Sequence, residues 1–305
     1  MENNNENFNI QEERYIPEQY KGNQKNPVKA ILLSFLVMIA FIAIQVVVMI
    51  PFMFPGVMTT LKDVKASGTM LNDDELTRAM LGNVDTIALT VIATLVSAIV
   101  AVLWYRLAFC RGYGLKELKK TCKRIFTLKS IGGIVLLAIC LFYMANYITA
   151  LVGFFFPSAL EEYLHLIEDL NLDLSDWLVV VLTVVLAPIN EECIMRGIIF
   201  RYLKNNIPVI ASVLISAVYF GIFHLNLIQG VYAAVLGIFM AYLAHKYKSI
   251  IASMVFHAVF NGLNFIIALF PQSVADSVVL GIIVPVVTGV LWYFVGWKNK
   301  IEEIA

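Results

Sequence analysis

SIGGIVLLAICLFYMANYITALVGFFF, residues 130–156, runs for 27 positions without an Asp, Glu, Lys, Arg or His. An α-helix rises 1.5 Å per residue, so about 20 apolar residues cross a hydrocarbon core of about 30 Å, and this stretch is long enough to do so. Working outward, apolar runs bounded by charge recur at about 30–54, 86–107, 177–203, 207–224, 229–245, 250–270 and 278–297. Backbone amides cannot be left unpaired in lipid, and runs of this length lack the period-two alternation of a barrel. The fold class is therefore all-α: a polytopic membrane helical bundle with about eight transmembrane helices.

Composition agrees. Hydrophobic residues make up 60% of the 305 and charged ones 14%, against about 45–50% and about 25% in soluble domains, and mean hydropathy is +0.81. Net charge is zero, so no nucleic-acid partner is expected; the bilayer is. The four cysteines, Cys110, Cys122, Cys140 and Cys193, show no CxxC pair, which argues against a disulfide framework or a Cys-based zinc site.

Basic residues set the orientation. Segment 106–129 carries Arg106, Arg111, Lys116, Lys119, Lys120, Lys123, Arg124 and Lys129, whereas 157–176 has no Lys or Arg and six acids. Further along, Arg201, Lys204, Lys246, Lys248, Lys298 and Lys300 fall on alternate connections. By the positive-inside rule both termini are cytoplasmic, as expected of a multi-pass protein of the cell membrane. Connection 55–85 fits least well, since it lies outside in this scheme yet holds Lys62, Lys65 and Arg78. The chain divides into a disordered cytoplasmic tail (1–28), N-terminal transmembrane helices with their loops (29–170), a core (175–270), and a last helix with a short tail (278–305).

Ionisable groups at membrane depth are costly and mark function by default. They concentrate in three places: Pro188-Ile-Asn-Glu191-Glu192-Cys193-Ile-Met-Arg196-Gly197, Phe220-Gly-Ile-Phe-His224 and His257-Ala-Val-Phe-Asn261. Glu192 and Arg196 are spaced i,i+4 with the acid N-terminal, the favourable orientation for an ion pair. Glu191 is rotated by about 100° from Glu192, does not share that partner comfortably, and is left free for chemistry. Pro188 removes a backbone donor just before the acids, so a local kink is expected. His257 and Asn261 share one helix face, and Phe220 lies one turn before His224 as an apolar wall.

A carboxylate, two imidazoles and an amide suffice to add water to a peptide bond. The carboxylate takes a proton, an imidazole orients water or protonates the leaving amine, and the amide donates to the oxyanion. Equally, His224, His257 and Glu191 match the His₂Glu ligand set of a catalytic zinc, so the cofactor is either none or zinc. Other candidates read as structural: His245 at a basic helix end, and His165 on an amphipathic interfacial stretch with Leu160, Leu164 and Ile167. Cys193 has no environment that marks a thiol nucleophile.

The succession EExxxR, FxxxH, HxxxN over residues 177–270 resembles the CPBP or Abi family, which includes CAAX prenyl endopeptidases and proteins assigned to bacteriocin processing or self-immunity. Glu191, Glu192 and Arg196 match its first motif, Phe220 and His224 its second, and His257 and Asn261 its third. The resemblance implies an intramembrane endopeptidase, glutamate- or zinc-dependent, acting on a membrane-tethered, prenylated or leader-type peptide. Glu191, His224, His257 and Asn261 are then catalytic, with Glu192, Arg196 and Phe220 supporting. Two rival functions use the same buried groups: a non-catalytic scaffold or self-immunity protein, and a proton-coupled transporter.

Overall fold

The computed structural model describes residues 26–68, 86–169, 176–271 and 277–297, together with positions 72, 75, 76, 79, 82, 84 and 273. The expected tail lies outside these residues up to position 25. From Asn26 the chain is ordered: its side chain accepts the Lys29 N–H at 3.1 Å, and Pro27 opens the first helix. Among the described residues there is no strand.

Among the described residues, ten helices are numbered in chain order: α1 Pro27–Ser67, α2 Thr86–Phe109, α3 Leu115–Ile125, α4 Leu128–Phe155, α5 Pro157–Asp169, α6 Trp177–Asn206, α7 Val209–Phe223, α8 Leu227–Lys246, α9 Ile250–Ile267 and α10 Val278–Trp297. Seven of them (α1, α2, α4, α6, α8, α9 and α10) are long and apolar enough to cross a membrane. The eighth expected span, α7, is 15 residues long. That is about 22 Å, short of a full crossing.

The first helix differs from expectation at its end. The apolar run closes at 54, but α1 continues for 41 residues in all, through Pro51 and Pro55, to Gly68 in the left-handed conformation. A proline deletes one donor, and a transmembrane helix tolerates that loss where neighbours or hydroxyls satisfy the backbone. The carbonyls left without an i+4 donor are those of Val47 and Pro51; one turn further on, the Thr59 and Thr60 hydroxyls donate to the Pro55 and Gly56 carbonyls at 3.0 and 3.1 Å.

The basic connections gather at one end of the bundle. Arg124 at the end of α3 donates to the Tyr247 carbonyl, and Lys246 to that of Gly296. Arg201 donates to the Tyr105 hydroxyl at 3.3 Å, one residue before Arg106. Helices α1 and α7 run in the same direction, since Phe35 pairs with Tyr219 (5.5 Å between ring centroids) and Phe41 with Phe223 (6.4 Å).

Helix α6 is the centre of the molecule. Every residue from Glu192 to Phe200 is buried, as expected of a helix packed on all sides by protein rather than lipid. Small residues allow the close crossing of α7 and α8 beside it. A Cβ on Gly221 would lie 2.5 Å from the Gly230 carbonyl oxygen, and one on Gly237 would lie 2.9 Å from the Ala217 Cα.

Candidate active site

The acids sit where α6 changes its winding. Residues Val181–Leu186 and Cys193–Phe200 form π-helical turns that flank an α-helical segment, Ala187–Glu192. Such turns insert a residue into the register and recur at functional sites. The disturbance expected from Pro188 takes this form. The Ala187 N–H reaches back to Leu182, and Pro188 has no N–H to give, so the Thr183 carbonyl loses both its helical donors. The Asn261 side-chain amide takes that place, donating to the Thr183 carbonyl at 2.8 Å. One helical irregularity thereby fixes the third motif against the first.

The two adjacent glutamates have different surroundings. Glu192 Oε1 is 2.7 Å from Arg196 Nη1, and neither side chain has any exposed surface. Arg196 also donates to the Gly237 carbonyl at 3.2 Å and lies over the Phe220 ring, 4.4 Å from its centroid. Glu191 has no such cation. Its side chain is 15% exposed, and Oε2 lies 3.9 Å from His257 Nε2. His257 Nδ1 faces Glu192 Oε1 at 3.4 Å, so this imidazole stands between the two carboxylates.

His224 counts from the helix ends as lying near the outer interface, away from the other site residues. The structure nevertheless sets it beside them, although α7 ends at Phe223, within one residue of the expected end. His224 follows the last helical residue, Leu225 turns in the left-handed region (φ 54°), and Asn226 caps α8 by accepting the Gln229 N–H at 3.0 Å. His224 Nδ1 is 2.8 Å from the Phe220 carbonyl oxygen. The Phe220 ring touches both imidazoles edge-on, with centroids 4.8 Å from His224 and 5.9 Å from His257. All seven motif residues thus meet around Phe220 and the Ala187–Arg196 stretch of α6.

Six buried side-chain nitrogen or oxygen atoms among the described residues have no hydrogen-bond partner, and five belong here: Asn190 Oδ1, Glu191 Oε2, Glu192 Oε2, Arg196 Nε and His257 Nδ1. Unsatisfied buried polar atoms are costly, and their concentration at one place points to chemistry rather than to packing. Two further residues border the cluster: Asn190, which stands in the first polar stretch without a role of its own, and Tyr232, which a reading of the sequence does not single out. Asn190 is 2% exposed beside the acids. Tyr232 on α8 is half-buried against the hydrophobic core, within electrostatic reach of Glu191. An uncharged Tyr on an apolar helix gives no periodic signal that would single it out.

Among the described residues no three His, Cys, Asp or Glu side chains come together as a metal-holding group. The set Glu191, His224 and His257 therefore does not fit a zinc ion as it is arranged, and no step below is routed through one. The remaining candidates have other surroundings. His165 is exposed and lies 3.6 and 4.0 Å from Glu168 and Glu161 on its own helix, and Cys193 is buried in the hydrophobic core.

Fold and site together define a polytopic α-helical membrane protein with a buried carboxylate–imidazole–amide cluster. Residues 173–263 match the family model of the Rce1-like type II CAAX prenyl endopeptidases. The matched segment contains all seven motif residues and agrees with the resemblance carried by the three motifs. No curated protein and no solved structure matches the chain significantly.

Proposed function

We propose that this protein is an intramembrane endopeptidase that hydrolyses a membrane-tethered peptide with water activated by Glu191. The supporting observation is the contrast between the two acids. Glu192 is locked to Arg196 with no exposed surface, whereas Glu191 keeps an unpartnered oxygen 3.9 Å from His257 Nε2. That gap is too long for a direct hydrogen bond, so the imidazole does not satisfy this oxygen and its lone pairs stay available for a proton from the attacking water.

Glu191 takes a proton from this water as its oxygen attacks the scissile carbonyl carbon. The Asn261 amide has two N–H groups; one is held by Thr183, and the other donates to the oxyanion. Collapse of the tetrahedral intermediate breaks the C–N bond. The proton passes from Glu191 or an imidazole to the departing amine, leaving a carboxylate and a free amine. His224 and His257 position the water, each with its Nδ1 turned to an acceptor, the Phe220 carbonyl and Glu192 respectively.

The family description and the membrane setting support one substrate class: a prenylated CAAX-type peptide or another lipid-anchored or leader-type segment presented from the bilayer. The basic end of the bundle supports a cell-membrane orientation with cytoplasmic termini. Purified protein in liposomes should release a C-terminal fragment from a prenylated CAAX peptide and leave the same peptide without its lipid intact, as read by mass spectrometry. Equal cleavage of both would remove the tethering requirement.

The metal question has its own test. Active preparations should contain well under one zinc per chain, and a chelator should leave peptide cleavage unchanged. Stoichiometric zinc whose removal and return switch cleavage off and on would overturn the glutamate-and-water mechanism.

A further inference from the structure

A polar cavity of about 70 Å³ lies at the basic end of the bundle. That is several times the roughly 10–15 Å³ that admits a single water. Arg201 and Lys204 reach it from the end of α6, and Lys248 and Ser249 from the turn before α9; among the described residues no Asp or Glu lines it. Arg196 also forms part of its wall. This guanidinium is 1% exposed, and its Nε has no hydrogen-bond partner. Lys248 is held in the left-handed region (φ 51°), uncommon for a residue with a long side chain. Ser249 caps α9, accepting the Ile251 N–H at 3.2 Å, so the positive end of an 18-residue helix also opens here.

We propose that this cavity binds the phosphate of an anionic phospholipid headgroup. Three cations converge from two different connections, at the ends of membrane-crossing helices, where headgroup phosphates sit. The buried Arg196 guanidinium in the wall adds positive charge at a depth that a surface scatter of lysines would not reach. Occupancy ties α6, which carries Glu191 and Glu192, to α9, which carries His257 and Asn261. Anionic lipid thereby stabilises the pairing of the two site-bearing helices.

The test uses the full chain in neutral detergent, titrated with phosphatidylglycerol, phosphatidylcholine or inorganic phosphate while the melting temperature is followed. The variant is Lys204→Gln/Lys248→Asn, Asn being tolerant of the left-handed backbone. Lys119→Gln/Lys120→Gln, on exposed α3, is the charge-matched control. Phosphatidylglycerol alone should raise the melting temperature of wild type and control. The cavity variant should need roughly 10- to 30-fold more lipid, the contribution of two cations near an anionic surface. Native mass spectrometry of the wild-type chain gives a readout independent of any variant: one phosphatidylglycerol retained in preference to phosphatidylcholine. Equal responses to the two lipids, or a cavity variant that titrates like wild type, would overturn the proposal. A shift reproduced by inorganic phosphate would assign the cavity to a free anion instead of a lipid.

Discussion

Glu191→Gln lowers peptide hydrolysis by about 10²–10⁴, the usual contribution of a positioned general base, and leaves the fold intact. The substitution keeps the shape of the side chain and removes its capacity to accept a proton from water. It should cost little stability, because Glu191 has no cationic partner of the kind that Arg196 gives Glu192, and it retains some exposure. Turnover in liposomes and the melting temperature in detergent are the paired readouts. Near wild-type turnover by the Gln variant would move the base elsewhere.

Arg196→Ala should destabilise the protein by about 3–5 kcal/mol and lower its abundance. It leaves Glu192 as an uncompensated charge with no exposed surface, removes the donor to the Gly237 carbonyl, and empties the space above the Phe220 ring that backs both imidazoles. Activity should therefore fall together with stability. Neutralising both partners, in Glu192→Gln/Arg196→Met, should restore much of the melting temperature, since the penalty comes from the stranded charge rather than from loss of the pair. An unchanged melting temperature in Arg196→Ala would mean that the pair is solvated in the folded protein.

These two expectations rest on features of unequal visibility in the sequence. The Glu192–Arg196 pair is a local matter: its i,i+4 spacing is readable from the string, and the 2.7 Å contact follows. The membrane-crossing runs are equally plain, because a hydrocarbon core selects length and apolarity in one continuous segment. The winding of α6 is not readable in this way. A π-turn inserts one residue into the register without a composition of its own, and Pro188 marks only that something near it must yield. The bond from Asn261 to the Thr183 carbonyl joins positions 78 residues apart and depends on that turn, so spacing within a motif cannot disclose it. Likewise, counting residues puts His224 at the outer interface because it says nothing of how α7 is set against α6 and α9. The contact of His224 with Phe220 is local and readable from FxxxH, but the approach of the Phe220 ring to His257 is not. The apolar run of α1 misleads in the opposite direction, closing at 54 where the helix continues to Ser67.

Water activation by Glu191 can be tested most directly without choosing a substrate. Membranes carrying the wild-type protein and membranes carrying Glu191→Gln at equal abundance are compared for protein and peptide C-termini by mass spectrometry. The mechanism predicts one or more new C-termini on membrane-anchored polypeptides in the wild-type sample alone. The same C-termini at the same abundance in the Glu191→Gln sample would contradict it.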